Sequence, residues 1–407
     1  MLAEQKIKEH PDNLIGDSRL KVLSLAAIYG RNASGKSNLI RAIKALQYMV
    51  ADITKIQVNQ PISFYEPYIL ETTTAKIPVE FKIEFIAKDN IKYDYEIIFD
   101  EKKIIKETLW FYPKKQIALL FERNAGKEII YGDYFVGRKK DVESTLYENQ
   151  LFLSKVLHNK IEILTAPFLF FSEGILLINI EHLKFEDGLV DMFATRIASL
   201  KDKKFNENIS TLMRVADTGV DGFSIKLNDT GKLKMPEDMD EKTRQRMLDK
   251  YKYQIRTIHK LYKNGKPAGN IEFKIKDESA GTVKLLAVGG LILEALASGQ
   301  TIIVDEMDNS LHPKLTLVLI GLFLNKKTNP KGAQLIFATH DTSLLNTELL
   351  RRDQIWIADN EEKKGSNYYS LSDIQGVRNN IPFDKWYLSG RFGGTPVIND
   401  SELVFKF

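Results

Sequence analysis

Apolar positions along this chain change period several times, and each change marks a different kind of element. Val22 to Tyr29 is an apolar and β-branched run, the pattern of a buried strand. Leu39, Ile40, Ile43, Leu46 and Met49 then recur at helical spacing and predict a helix over 38–49. Residues 50–76 carry several prolines and read as connecting structure. From Val79 the period is two. Val79, Phe81, Ile83 and Phe85 alternate with charged residues, as do Ile91, Tyr93, Tyr95, Ile97 and Phe99 after a turn at Lys88-Asp89-Asn90. Lys103–Tyr112 and Ile117–Glu122 continue the pattern, which predicts an antiparallel meander with one wet face. Its aromatics read as cross-strand core pairs rather than a platform for stacking bases.

Helical spacing returns near 141, through Leu146, Phe152, Val156 and Ile163. Pro167–Ile180 reads as a buried apolar segment, with helices expected at about 187–200, 203–216 and 238–251. Gln254–Tyr262 and Asn270–Lys276 flank Asn264-Gly265, the signature of a hairpin turn. Basic side chains crowd Lys242–Lys266, with Asp249 the only acid and Tyr251, Tyr253 and Tyr262 between them. A phosphate backbone would suit such a stretch. A solvated helix followed by an edge hairpin guarded by lysines explains it with fewer assumptions. His259 there reads as a sheet residue rather than a ligand.

Composition narrows the class only a little. At 407 residues the chain has room for two or three domains, and its net charge of +4 neither demands nor excludes nucleic acid. With no cysteine there is no disulfide framework, thiolate metal site or thiol catalysis. The polar N-terminus is no signal peptide, and the longest uncharged apolar run, Leu285–Leu293, is far short of a membrane span. The expectation is a soluble, cytoplasmic protein with no membrane partner.

The chemistry concentrates in a few stretches. Gly30-Arg31-Asn32-Ala33-Ser34-Gly35-Lys36-Ser37 fits Gly-x-x-x-x-Gly-Lys-Ser between a predicted strand and a predicted helix. The glycines allow successive backbone N–H groups to converge on an anion, with Asn38 continuing the helix start. Lys36 is placed to reach the β- and γ-phosphates of ATP, Ser37 to bind Mg²⁺, and the helix N-terminus to face the same phosphates. Thr301–Glu306 is an apolar strand ending in two acids. Asp305 there suits Mg²⁺, and Glu306 suits orienting and deprotonating a water. Upstream, Ser279, Gly281 and Thr282 open a helix expected to run to about Ala297, another anion-binding corner. Downstream, Gln334–Asp341 is a strand ending in His340, and Asp308–Pro313 lies between.

The order of these pieces resembles the ABC-type ATPases: P-loop, signature, Walker B, D-loop, switch histidine. The resemblance implies an α/β ABC-type P-loop NTPase head with an antiparallel β-subdomain and a helical insertion. Residues 1–140 and 253–407 would form the head and 141–252 the insertion. It implies that Ser279 and Gly281 act on the γ-phosphate held by a second subunit, that Ser310 lies in the D-loop, and that His340 senses the γ-phosphate. IYGRNASGKSNL (28–39), ESAGTVKL (278–285), VDEMDNSLHP (304–313), LIFATHD (335–341) and YLSGRFGG (387–394) resemble one subgroup more closely. It comprises the RloA-like and PARIS AriA-like ATPases of anti-phage and abortive-infection loci, related to the ATPase half of OLD nucleases. That likeness implies a head-to-tail homodimer or higher assembly that hydrolyses MgATP slowly. It also implies control of a separate nuclease effector and a trigger that is DNA or phage-derived.

Three departures from that subgroup stand out. The N-terminal Phe-Arg-Ser-Phe-like strand is not found in full. The Q-loop glutamine is open among Gln57, Gln60 and Gln150. Residues 341–407 hold no spaced acids of a Toprim nuclease, so an effector is expected on another chain. A RecF- or SMC-like DNA-repair ATPase is the alternative reading. A transporter's ATPase subunit is a third, disfavoured by the insertion and the long meander.

Overall fold

The computed structural model describes residues 1–16, 20–52, 58–114, 116–137, 139–159, 161–179, 193, 203–228, 239–250, 252–309, 311–361, 365–378 and 380–396. Ser310, Gln57 and nearly all of the helix expected over 187–200 lie outside them. The chain has a mixed α/β fold and divides into two compact units. One comprises residues 1–27, 178–355 and 376–384, and the other residues 28–177, 356–375 and 385–407.

The second unit opens on the end of the strand Leu25–Tyr29, which passes through Gly30–Gly35 into the helix Lys36–Ala51. That helix buries Ile40, Leu46 and Met49 of the predicted stripe, with Val50 beside them, while Leu39 and Ile43 are half-buried. The meander forms as five antiparallel strands in chain order: Val79–Ile86, Lys92–Phe99, Ile104–Phe111, Ala118–Asn124 and Ile130–Tyr131. Its register sets Phe85 opposite Tyr93 and Tyr93 opposite Phe111. The helix Glu162–Ser172 covers this aromatic face. Phe170 stacks on Phe85 at 4.1 Å between ring centroids, and Phe171 meets Tyr95 at 5.8 Å. The rings are therefore core.

The apolar segment expected as one piece over 167–180 is divided at Gly174. The helix ends there, and the strand Ile175–Asn179 begins directly after. A Cβ on Gly174 would lie 2.6 Å from the Phe170 carbonyl oxygen, so only glycine lets the chain turn so tightly. Gln47 secures the junction, donating from Nε2 to the Phe171 (3.0 Å) and Ile175 (2.9 Å) carbonyls. Near the C-terminal end, the strand Gly365–Ser370 pairs antiparallel with Ile355–Glu361, and Ile355–Glu361 lies next to Leu25–Tyr29.

In the first unit the order runs Leu25–Tyr29 (its first three residues), Gln334–Ala338, Thr301–Asp305 and the end of Ile175–Asn179. Thr301–Asp305 and Gln334–Ala338 are parallel, with Ile303 opposite Ile336, and the helix Pro313–Leu324 is their crossover. The run expected as one strand over 22–29 breaks at buried Ser24, whose N–H donates to Asn13 O and whose carbonyl accepts from Leu335 N–H, both at 3.0 Å. Residues at the N-terminus are tied down by Arg351, which is fully buried. Its guanidinium is paired with Asp353 at 2.7 Å and donates to the carbonyls of Glu4, Ile7 and Glu9.

The helix Ala280–Ser298 is long and apolar enough to cross a membrane by length and composition, although its longest uncharged run is short. Two-thirds of it is buried within the chain (67%), as in the core helix of a globular domain. Gly289 and Gly290 let it pack closely: added Cβ atoms would lie 2.4 Å from Leu212 and 2.7 Å from Phe193. Leu212 belongs to the helix Lys203–Val215.

Residues 141–252 also contain a strand the helical reading missed, Gly222–Leu227. It pairs with Tyr253–Lys263, which pairs in turn with Lys266–Lys274 to form a three-stranded sheet. Asn264 (φ 52°) and Gly265 (φ 74°) make the expected turn.

Candidate functional site

Every residue of Gly30–Asn38 lies in the second unit, in one continuous turn between strand and helix. Gly35 has φ 100° and Ala33 φ 62°, so the backbone doubles back on itself before the helix begins at Lys36. Lys36 is 7% exposed, and its Nζ donates to the carbonyl oxygens of Gly30 (2.8 Å) and Arg31 (3.1 Å). The ammonium is thus folded over the loop it belongs to. Ser34 is fully buried, and its Oγ has no hydrogen-bond partner among the described residues. Asn32, Ala33, Ser37 and Asn38 face solvent.

The loop is braced by residues that sequence patterning did not single out. Arg31 Nη2 donates to the Asn360 carbonyl (2.9 Å), and Tyr368 Oη donates to the Gly35 carbonyl (2.7 Å). A Cβ on Gly30 would lie 2.3 Å from the Ala358 carbonyl oxygen, and one on Gly35 would lie 2.0 Å from Ser366 Oγ. Both glycines are therefore required by close approach of the strand pair Ile355–Glu361 and Gly365–Ser370.

The segment Tyr387–Gly394 reaches the same loop. The Tyr387 ring meets Tyr29 edge-on at 5.6 Å, and its hydroxyl donates to the Gly394 carbonyl (3.3 Å). Burial raises the Tyr387 phenol above its ordinary pKa, opposed by a hydrogen bond from the Gly30 backbone. Tyr369 Oη donates to the Phe392 carbonyl at 2.7 Å, and burial followed by nearby Asp359 raises that phenol too. The glycine-rich tail was visible in the sequence only through a family likeness, because neither periodicity nor charge marks it.

Asp305, Glu306, His340 and the Ser279–Thr282 corner belong to the first unit. Asp305 ends the strand Thr301–Asp305, is 6% exposed, and has one carboxylate oxygen, Oδ1, buried without a hydrogen-bond partner among the described residues. Glu306 leaves the strand with φ 53°, a left-handed conformation that is uncommon for a residue with a side chain. Asn309 holds it, donating from Nδ2 to Glu306 Oε2 (3.3 Å). His340 is exposed just beyond the neighbouring strand, with its backbone N–H 3.4 Å from both carboxylate oxygens of Asp308. The segment after Asp305 is therefore linked directly to the histidine.

Ser279 caps the helix Ala280–Ser298. Its Oγ accepts from Thr282 N–H (3.1 Å) and lies 2.9 Å from Thr282 Oγ1. Gly281 is half-buried in the same first turn. Of the Q-loop candidates, Gln60 is exposed and Gln150 is buried, its Oε1 without a partner among the described residues.

No group of three or more His, Cys, Asp or Glu among the described residues is arranged to hold a metal ion. Mg²⁺ takes only one or two protein oxygens and completes its shell with phosphates and water. The hard oxygens of Asp305 and Ser37 are of the right type.

A mixed α/β fold carrying a strand–loop–helix with a glycine-cradled lysine is that of a nucleotide-binding ATPase domain. The chain belongs to the family described as "AAA domain, putative AbiEii toxin, Type IV TA system", which matches residues 25–346. This is a family of ATP-hydrolysing AAA-type domains linked to toxin–antitoxin and abortive-infection systems. No curated protein sequence matches the chain. Among solved structures it is similar to one described as "Crystal structure of the SmcHead bound to the C-winged helix domain of ScpA". The identity is 16% over 86% of this chain and 92% of that one, with a TM-score of 0.42.

Proposed function

We propose that this chain binds MgATP in the Gly30–Asn38 loop, hydrolyses it slowly, and uses it to join two copies head to tail. The observation that carries this reading is the Lys36 ammonium, 7% exposed and folded over the carbonyls of its own loop. A largely buried cation that donates to the carbonyls of its own loop is placed to exchange them for an anion. Ser37 and Asp305 would hold Mg²⁺, which supplies charge neutralisation at the phosphates when bound. Glu306, fixed by Asn309, would orient and deprotonate the attacking water. Ser279, Gly281 and Thr282 would receive the γ-phosphate of ATP bound by the second copy, with Ser310 and His340 beside it.

The link of this family to abortive infection supports a finer reading. The chain would be the regulatory ATPase of an anti-phage system of RloA-like, PARIS AriA-like or OLD-related type, controlling a separate nuclease. Residues 1–140 and 253–407 would form the head and 141–252 an insertion. Calorimetry and phosphate release on the purified chain test the core of this reading. ATP should bind, and phosphate should appear only with Mg²⁺. A chain that binds no ATP contradicts it.

A further inference from the structure

We propose that Glu278 is a positioning residue for the Ser279–Thr282 corner, held in place by Thr257 and His259 of the neighbouring hairpin. The proposal rests on the reading that this corner meets ATP bound by a second copy.

Glu278 directly precedes Ser279, and its side chain is 8% exposed. One oxygen, Oε1, accepts from both Thr257 Oγ1 and His259 Nε2, the latter at 2.7 Å. Thr257 and His259 are two apart on the strand Tyr253–Lys263, so their side chains share a face. Thr257 is fully buried, and the His259 ring lies 4.8 Å from Phe273 on the paired strand. The clamp is therefore built on sheet rather than on a mobile loop. Glu278 is fixed from its backbone as well, since its N–H donates to the Ile275 carbonyl at 3.1 Å. On the far side of Ser279, the Val283 N–H donates to the Ser279 carbonyl (3.1 Å). Ser279 thus sits between two anchors, the hairpin before it and the helix after it.

The chemistry of the corner explains why such an anchor is needed. A carboxylate beside a phosphate-receiving helix start repels the ligand if it swings toward it. Thr257 and His259 hold the Glu278 charge against the sheet and satisfy it there. Without them, a largely buried acceptor is left unpaired, and the side chain gains by turning out toward the corner. Displacement of the hairpin then becomes displacement of Ser279, which gives the ATP-joined state a mechanical link to the three-stranded sheet.

The test compares Glu278→Leu, Glu278→Gln and Ser279→Arg for ATP affinity, ATP-driven dimerisation by sedimentation, and kcat and KM, with thermal unfolding as a check on folding. Glu278→Leu should lower kcat and dimer affinity by about 10-fold or more while ATP affinity and KM change less than about two-fold. Glu278→Gln keeps an oxygen acceptor and should recover most of the loss. A folded Glu278→Leu protein with wild-type kcat and dimerisation overturns the proposal, and so does a Gln variant no better than the Leu variant. If Glu278→Leu does not fold, His259→Gln against His259→Leu reads the same contact, and equal kcat in that pair overturns it. Ser279→Arg separates the two layers. If it abolishes dimerisation while Glu278→Leu behaves as wild type, only the role of Glu278 falls. If Ser279→Arg itself dimerises and hydrolyses normally, the underlying reading falls and the proposal with it.

Discussion

The Lys36 ammonium lies 2.8 Å from the carbonyl oxygen of Gly30, six residues back along its own loop. That contact, with a second to the Arg31 carbonyl, sets a largely buried charge against main-chain groups of its own loop. An incoming phosphate would offer the ammonium a full negative charge in place of a carbonyl dipole.

Lys36→Ala should therefore weaken ATP binding by at least about 10-fold, since it removes a direct charge contact. Calorimetric titration with ATP reads this, and unchanged affinity counts against the loop as the nucleotide site.

Glu306 stands apart from Asp305 in the kind of loss it should produce. Its φ of 53° and its bond from Asn309 fix the carboxylate just past the strand end. Glu306→Gln preserves size and should leave ATP binding intact, while lowering turnover by about 10²-fold or more. Single-turnover hydrolysis at the wild-type rate would remove Glu306 from the chemistry.

Gly394 should matter to nucleotide binding despite its distance along the chain. It has φ 66°, and a Cβ there would lie 2.5 Å from Ile357 Cγ2 and 3.5 Å from the Gly30 Cα. Gly394→Val should strain the tail against the first glycine of the loop and reduce ATP affinity by roughly 5-fold or more, as strain costs of order 1–3 kcal/mol suggest. Equal affinity in a folded variant would show that the tail does not support the loop.

A buried acid anchors the meander. Glu107 is fully buried, takes hydrogen bonds from Tyr95 Oη (2.7 Å), Phe152 N–H (2.6 Å) and Leu153 N–H (3.0 Å), and lies 3.7 Å from Arg123 Nη1. Burial outweighs Arg123 and the hydrogen bonds and raises its pKa above the ordinary carboxylate value. The folded state then holds this proton more tightly than the unfolded chain does. Its contribution to stability is full below the unfolded value and falls as pH rises through the folded value. Glu107→Leu should destabilise the protein by about 3–5 kcal/mol, because Arg123 loses its counter-charge and the Tyr95 hydroxyl and two backbone N–H groups lose their acceptor. Glu107→Gln should be milder and should remove this part of the pH dependence. Chemical denaturation across pH measures both, and a Leu variant as stable as wild type would contradict the account.

What the sequence discloses depends on whether a residue's role is local. The positions of Lys36, Ser279 and Asp305 are legible because each stands at the end of a strand or the start of a helix, where period and residue type coincide. The meander is legible because Tyr93, Tyr95, Ile97 and Phe99 alternate strictly. Gly222–Leu227 was missed although Phe223, Ile225 and Leu227 also alternate, because helical neighbours on both sides set the expectation. Tyr368 and Asn360 were not legible at all, and Gly394 only through the family likeness of 387–394. They brace the P-loop from more than 300 residues away, and no local pattern records such a contact. Glu278 lay inside a noted motif, yet its partners Thr257 and His259 sit on another element and emerge only from the fold.

The central claim is that ATP held by one copy is completed by the Ser279–Thr282 corner of another. Mixing Ser279→Arg chains with Lys36→Ala chains tests it most directly, because each heterodimer would regain one intact site from two defective chains. ATP turnover in the mixture should exceed that of either variant alone, reaching a maximum near equal proportions. If subunits demonstrably exchange and no mixture exceeds the separate rates, the composite site is contradicted.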